Sequence, residues 1–116
     1  MVVSDRYYHS TVAYQAANLE DVFPGDAFKW LLDANLKFSR HPDLTVLLTI
    51  PPELALKRVS KRGALSRFEK LEFLKKVHAN YLKLARKDKS IVKVDATQDL
   101  ETVVREVLDL IRERKV

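Results

Sequence analysis

The hydrophobic positions follow two different spacings along the chain, and the first consists of short continuous apolar runs. Residues 44–50 form a nearly unbroken apolar run with a proline-containing pair on either side. Such a run, bounded by prolines, predicts a strand that is covered on both faces. Residues 91–95 predict another strand, and residues 1–4 predict the stub of a third, which ends where polar Asp5 begins.

The second spacing places apolar residues three and four positions apart, which predicts amphipathic helices. We expect five of them: residues 10–18, a helix capped by Asp26, residues 52–63, about 67–87 and about 100–113. The helix after Asp26 has its apolar stripe at Ala27, Trp30, Leu31, Ala34 and Phe38. The next long helix has Phe68, Leu71, Leu74, Val77, Tyr81 and Leu84, and the last helix has Val103, Val104, Val107, Leu108 and Ile111.

The order of these elements predicts the fold class. Strand, helices, strand, helices, strand and helix in succession indicate an α/β fold with a parallel sheet of about three strands, right-handed crossovers and flanking helices. No repeat or linker interrupts the sequence, so we expect a single domain over residues 1–116. Ligands of such sheets collect at the carboxyl ends of the strands, where Asp5 and Asp95 fall.

The composition excludes several classes of protein. With 47% hydrophobic and 32% charged residues, the chain is typical of a globular protein rather than a disordered one. No apolar run approaches the roughly 20 residues that span a bilayer, and the amino terminus has no secretory pattern, so we expect a cytoplasmic protein. There are no cysteines and only three isolated histidines, so neither a disulfide nor a cysteine- or histidine-based metal site is expected.

The net charge of +5 raises the question of nucleic acid. Much of the basic excess falls between residues 57 and 89, where acidic residues are interspersed. A solvated helical face explains this pattern best, a patch that faces a small phosphorylated ligand comes second, and a nucleic-acid groove comes last.

The polar residues after the first predicted strand carry the chemistry. An arginine at a strand's carboxyl end offers a planar fork to a phosphate, and a neighbouring aspartate can hold a water, a metal shell or a sugar hydroxyl. Without further context, a local salt bridge is the favoured interpretation of Asp5 and Arg6. The pattern Asp-Arg-Tyr-x-x-Ser-x-x-Ala-Tyr-Gln over residues 5–15, however, closely resembles the signature of the thymidylate kinase family.

Further segments resemble the same family in the same order. They are residues 42–45, 47–53, 61–69, 81–85 and 94–97, so the resemblance covers essentially the whole chain. It implies a three-layer, P-loop-kinase-like parallel sheet and an ATP- and magnesium-dependent enzyme that phosphorylates thymidine monophosphate (dTMP) to the diphosphate.

The resemblance also implies roles for individual residues. Arg6 would hold the 5′-phosphate of dTMP, and Asp5 would lie near the transferred group and the magnesium ion. Tyr14 would pack under the deoxyribose and crowd a 2′-hydroxyl, although a tyrosine that belongs to the core is the alternative. Three polar residues would surround the thymine edge or the phosphate: Ser10, Thr11 and Gln15.

On the ATP side, the resemblance implies a lid at about residues 58–69 that brings cations to the moving phosphate when it closes. Its arginines would be Arg58, Arg62 and Arg67, of which Arg67 is the preferred one. Arg58 and Arg62 lie four positions apart on one helix and fit a solvated face equally well. The backbone of a loop near the adenine would consist of Asp95, Ala96 and Thr97.

The sequence departs from the family pattern in three places. Thr49 and Ser66 stand where the family usually has aspartates, which puts metal geometry and lid anchoring in question. The only glycines are Gly25 and Gly63, and neither is followed by Lys-Ser or Lys-Thr. The family's phosphate loop, G-x-x-x-x-G-K-[ST], is therefore missing. We expect the carboxyl-terminal portion of a thymidylate kinase, inactive alone and unable to bind ATP or magnesium tightly.

Three functions stay open at this point. The chain is part of a thymidylate kinase, a stand-alone non-catalytic module that binds a nucleotide or a protein, or a basic nucleic-acid-binding domain. In the family, the strand before the phosphate loop lies between the strand ending at Asp5 and the strand at 44–50, and its loss would expose strand edges. We therefore expect a homo-oligomer, most simply a dimer, or a second chain that supplies the missing half.

Overall fold

The computed structural model describes residues 2–58 and 67–114, and the side chains of 2–58 and 69–113. Within these described ranges, five helices and two strands follow one another. The helices are α1 (Tyr8–Leu19), α2 (Ala27–Phe38), α3 (Pro52–Arg58), α4 (Arg67–Lys87) and α5 (Leu100–Arg114). The strands are β1 (Thr45–Thr49), which precedes α3, and β2 (Ile91–Asp95), which follows α4.

The two strands form a parallel pair in which Thr45 lies beside Ile91 and Thr49 beside Asp95. Parallel neighbours need a long crossover, which the segment with α3 and α4 supplies. The amide of Ala96 donates to the Thr49 carbonyl at 2.9 Å and extends the ladder past the end of β2. The predicted α/β class with a parallel sheet and flanking helices is thus confirmed.

The strand predicted at residues 1–4 does not form within the described residues 2–4. Val2 and Val3 are 96% and 82% exposed, and the sheet of the described residues has two strands rather than about three. A strand is stable only where a neighbouring strand forms hydrogen bonds with its backbone groups. An unpaired segment would lose conformational entropy on becoming ordered and gain no hydrogen bonds to offset that loss. Here β1 and β2 pair with each other, and neither pairs with this segment.

The core lies between the sheet and the helices α1, α2 and α4. One cluster joins Val12, Ala16, Phe28, Leu84 and Ile91, so that side chains of all three helices and of β2 share it. A second cluster of Ala13, Ala17 and Val77 packs α1 directly on α4. Alanines at the contact let the two helices approach closely, and this firm attachment fixes the segment that leads into α1.

The buried face of α2 agrees with the predicted one in part: Ala27 is buried and Leu31 packs against the core, whereas Trp30 and Phe38 are exposed. Asp26 caps the helix as expected, accepting a hydrogen bond from the Lys29 amide at 3.1 Å. Phe28, rather than Trp30 or Phe38, points into the core, and Phe38 is 89% exposed. The helix is apolar on more than one side, so two stripes have helical spacing, and only packing against α1 and α4 selects between them.

Helix α5 packs against β2 but is only partly covered. Val103, Val107 and Ile111 are half-buried, whereas Val104 and Leu108, which were predicted to be buried, are exposed. Together with Leu100 they form a stripe at four-residue spacing, called here the α5 stripe (Leu100, Val104 and Leu108). Among the described residues, no helix is long and apolar enough to cross a membrane.

Candidate functional site

The chain enters α1 through an unusual backbone conformation at Arg6. Its φ of 71° lies in the left-handed region, which non-glycine residues adopt at a cost of about 1 kcal/mol or more. The Ser4 hydroxyl donates to the Arg6 carbonyl at 2.7 Å and supports this turn. As a result, the guanidinium carbon lies 5.4 Å from the centroid of the Tyr14 ring, in a cation–π contact.

Tyr14 is held in turn by aromatic residues of α4. Its ring centroid lies 6.1 Å from that of Phe73 and 6.3 Å from that of Tyr81, the latter at 85° in an edge-to-face arrangement. Ser10, one helical turn before Tyr14, shares a hydrogen bond of 2.9 Å with the Tyr81 hydroxyl. Arg6, Ser10, Tyr14 and Tyr81 therefore form one connected group, called here the Arg6 cluster.

The other predicted residues of this segment lie at the surface. Asp5 precedes the left-handed turn and is exposed, and Thr11 and Gln15 are exposed on α1. Thr11 and Gln15 are four positions apart and so share one side of the helix. The structure thus brings together Arg6, Ser10 and Tyr14 and leaves a solvent-facing polar row beside them.

Beside the Arg6 cluster lies a buried aromatic pair that the sequence analysis missed. Tyr8 and His9 stack with ring centroids 4.1 Å apart, and His9 is only 7% exposed. The Nε2 of His9 has no hydrogen-bond partner among the described residues. Burial lowers the pKa of His9. The charge of Asp88 partly offsets this shift, and that of His41 adds to it. Burial and the Asp88 carboxylate raise the pKa of Tyr8.

Asp88, just after α4, connects this region to the loop that follows α2. Its carboxylate accepts hydrogen bonds from the amide and hydroxyl of Ser90 at 2.9 and 2.7 Å, and meets Nε2 of His41 at 2.8 Å. Partial burial raises the pKa of Asp88, but these hydrogen bonds outweigh it and the net shift is downward. The Tyr7 hydroxyl donates to the Arg40 carbonyl at 3.0 Å and gives the loop a second attachment.

Little of the predicted ATP side falls within the described residues. Arg58 ends α3 and is exposed, Arg67 is the first residue of α4 with its side chain outside the described set, and Arg62 and Ser66 lie wholly outside it. The central part of the predicted lid at 58–69 is therefore not described.

The predicted adenine-side loop follows β2 and is bonded to itself. The carboxylate of Asp95 accepts from the Thr97 amide at 2.8 Å and the Thr97 hydroxyl at 2.6 Å, and these bonds lower the pKa of Asp95. The backbone carbonyl of Asp95 accepts a hydrogen bond from the Gln98 side chain at 3.0 Å. One oxygen of the carboxylate, Oδ1, accepts both Thr97 hydrogen bonds inside the turn.

The described residues do not by themselves fit a magnesium–ATP complex. They contain no group of three or more histidine, cysteine or acidic side chains that could hold a metal ion. The sequence has no glycine-rich loop for the phosphates, with glycines only at 25 and 63. Within the described residues, the Arg6 cluster offers a cation, hydroxyl groups and an aromatic face.

Comparison with known proteins places the chain in a family. Residues 1–107 match the family model for thymidylate kinase. The chain is 46% identical over 110 residues to a probable thymidylate kinase of Archaeoglobus fulgidus, covering 95% of this chain and 52% of that protein. It is 41% identical over 114 residues to a probable thymidylate kinase of Methanosarcina barkeri, covering 97% and 55%. The chain belongs to the thymidylate kinase family and spans about half the length of these curated relatives.

Proposed function

We propose that the chain forms the dTMP-binding part of a thymidylate kinase, in which the γ-phosphoryl group of ATP passes to a phosphate oxygen of dTMP and leaves ADP and dTDP. The observation that supports this most directly is the Arg6 cluster, placed at the entry to α1 in a chain whose family match covers residues 1–107. Phosphoryl transfer depends mainly on positioning and charge, which a fixed arginine can supply.

Within this proposal, each side chain has a distinct task. The guanidinium of Arg6 binds the 5′-phosphate of dTMP through its planar fork and leaves one phosphate oxygen free to attack. The ring of Tyr14 lies under the deoxyribose, where it leaves no room for a 2′-hydroxyl. Asp5, Thr11 and Gln15 complete the acceptor side from the surface.

The ATP side is also a proposal and needs more protein than this chain. Arg58, Arg62 and Arg67 close over ATP, and the loop of Asp95, Ala96 and Thr97 lies near the adenine. ATP and magnesium are held mainly by a phosphate loop from outside these 116 residues, in a cytoplasmic enzyme.

Catalysis provides the first test. The isolated chain is expected to release ADP from ATP and dTMP no faster than background in a coupled assay, because nothing in it cradles the ATP phosphates. Addition of a polypeptide with the phosphate loop is expected to restore turnover. Robust turnover by the isolated chain would contradict the proposed division of labour.

Binding provides the second test. We expect isothermal titration calorimetry to give a dissociation constant for dTMP near the millimolar range, about −4 kcal/mol, which suits one charged contact and some packing. Arg6→Ala should abolish measurable binding. The matched control is Arg112→Ala, since Arg112 is an exposed arginine on α5 whose partner is Asp109. Equal binding by the parent and Arg6→Ala would remove Arg6 from the site.

We further propose that the isolated chain forms a homodimer, with dTMP and ATP as its small-molecule partners in the complete enzyme. Two features support association: β1 pairs only with β2 among the described residues, and the α5 stripe and Leu48 are exposed. Light scattering coupled to size-exclusion chromatography over a dilution series tests this. A monomer at every concentration would contradict it, and a complex formed only with the polypeptide that carries the phosphate loop would identify that polypeptide as the partner instead.

A further inference from the structure

Tyr81 lies near the middle of α4, outside the 5–15 segment, and contacts that segment at two points. Its hydroxyl is 2.9 Å from the Ser10 hydroxyl, across 71 positions of sequence. Its ring meets the Tyr14 ring edge to face at a centroid distance of 6.3 Å. Tyr14 in turn lies under the guanidinium of Arg6. One side chain of α4 therefore determines the surroundings of two candidate dTMP-binding residues and, through Tyr14, of a third.

The packing of Tyr81 gives it a fixed position from which to act. It is half-buried and packs against both core clusters, the one around Val12 and the one around Ala13. A ring held from both sides has little rotamer freedom, so the direction of its hydroxyl is fixed as well. The hydrogen bond then selects one orientation of Ser10, whose hydroxyl would otherwise rotate.

We propose that Tyr81 is a positioning residue for the acceptor nucleotide: its hydroxyl orients Ser10, its ring sets the angle of Tyr14, and Tyr14 in turn aims Arg6 at the phosphate. This rests on the proposed binding of dTMP by the Arg6 cluster. If Tyr81 served only the core, its substitution would lower the folding stability and leave the KM for dTMP unchanged. The two roles therefore have different consequences for kinetics.

The test is Tyr81→Phe in the active enzyme that contains this chain, either as one polypeptide or reconstituted with the polypeptide that carries the phosphate loop. The substitution keeps the ring and removes only the hydroxyl. We expect KM for dTMP to rise about three- to tenfold, the range for loss of one neutral hydrogen bond, with kcat and the KM for ATP within twofold of the parent. Discrimination between dTMP and its 2′-hydroxyl analogue should stay at the parent value, because the ring that contacts Tyr14 is retained.

Two comparisons separate positioning from general stability. Asn80→Ala removes a different α4-to-α1 hydrogen bond, from the Asn80 side chain to the Ala13 carbonyl at 3.0 Å. It should lower the melting temperature while the KM for dTMP stays at the parent value. Ser10→Ala combined with Tyr81→Phe should raise KM no more than Ser10→Ala alone, because the Tyr81 hydroxyl acts on dTMP only through Ser10.

The outcomes distinguish this inference from the function on which it rests. A parent enzyme that does not phosphorylate dTMP would overturn the proposed function. An active parent whose Tyr81→Phe variant matches Asn80→Ala, with a lower melting temperature but an unchanged KM for dTMP, would overturn the positioning role alone. Additive effects of Tyr81→Phe and Ser10→Ala would also overturn it, since the two hydroxyls would then act independently.

Discussion

Val12→Ala tests whether α1 is attached to the rest of the molecule as described. Val12 is 0% exposed and belongs to the cluster that joins α1 to Phe28, Leu84 and Ile91. The change removes two buried carbon atoms at about 0.8 kcal/mol each, and incomplete collapse of the space adds to this cost. We expect a loss of about 2–3 kcal/mol, a large fraction of the 5–15 kcal/mol typical of a domain.

Urea unfolding followed by far-ultraviolet circular dichroism measures this loss. With a slope of about 1–3 kcal/mol per molar urea, the midpoint should fall by about 0.7–3 M, while the slope itself stays the same. The matched control is Val22→Ala, because Val22 lies just after α1 and is 74% exposed. Its midpoint should stay within about 0.2 M of the parent. Equal shifts in the two variants would refute the docking of α1 through Val12.

Three further changes probe the surroundings of the site. Because burial lowers the pKa of His9 below its ordinary 6.5, folding favours the neutral ring, and the stability of the fold should be full above pH 6.5 and decline as the pH falls. In His9→Phe, the urea midpoint should depend less on pH between pH 7.5 and 5 than it does in the parent. The same pH dependence in both proteins would contradict this. Asp88→Asn should lower the free energy of unfolding by about 1–2 kcal/mol in the same assay, because it weakens the hydrogen bonds to His41 and Ser90. An unchanged urea midpoint would show that these bonds do not contribute. Leu108→Glu should reduce dimer formation in light scattering if the α5 stripe is the interface, and an unchanged dimer would exclude that surface.

The sequence predicted an element best where prolines or abrupt changes of polarity mark both of its ends. The apolar run at 44–50 became β1 (Thr45–Thr49), and the segments predicted at 91–95 and about 67–87 became β2 and α4 with the same bounds. Prolines and abrupt changes of polarity act within a few residues, so a sequence displays them directly. The first predicted strand does not form within residues 2–4, because strand pairing depends on a neighbour elsewhere in the molecule. The face of α2 was predicted correctly at Ala27 and Leu31 but wrongly at Trp30 and Phe38, because two apolar stripes compete for one core.

The candidate site was predictable in part for a similar reason. Ser10 and Tyr14 are one helical turn apart, so their shared face follows from helix geometry. The role of Tyr81 could not be foreseen, since helical spacing explains its apolar ring but says nothing about the partner of its hydroxyl, 71 positions away. His9 was missed because no spacing rule distinguishes a buried histidine from an exposed one. The dTMP-binding roles themselves stay predictions.

The long separation between α1 and α4 has a consequence for synthesis on the ribosome. Ser10 meets its hydrogen-bond partner only after 71 further residues have been added, which takes roughly 4 to 14 seconds at ordinary translation rates. During that interval the apolar side of α1, with Val12 and Ala13, has no α4 to cover it. The nascent segment is thus open to chaperones and proteases, and the residues proposed to hold the nucleotide are made well before the helix that secures them.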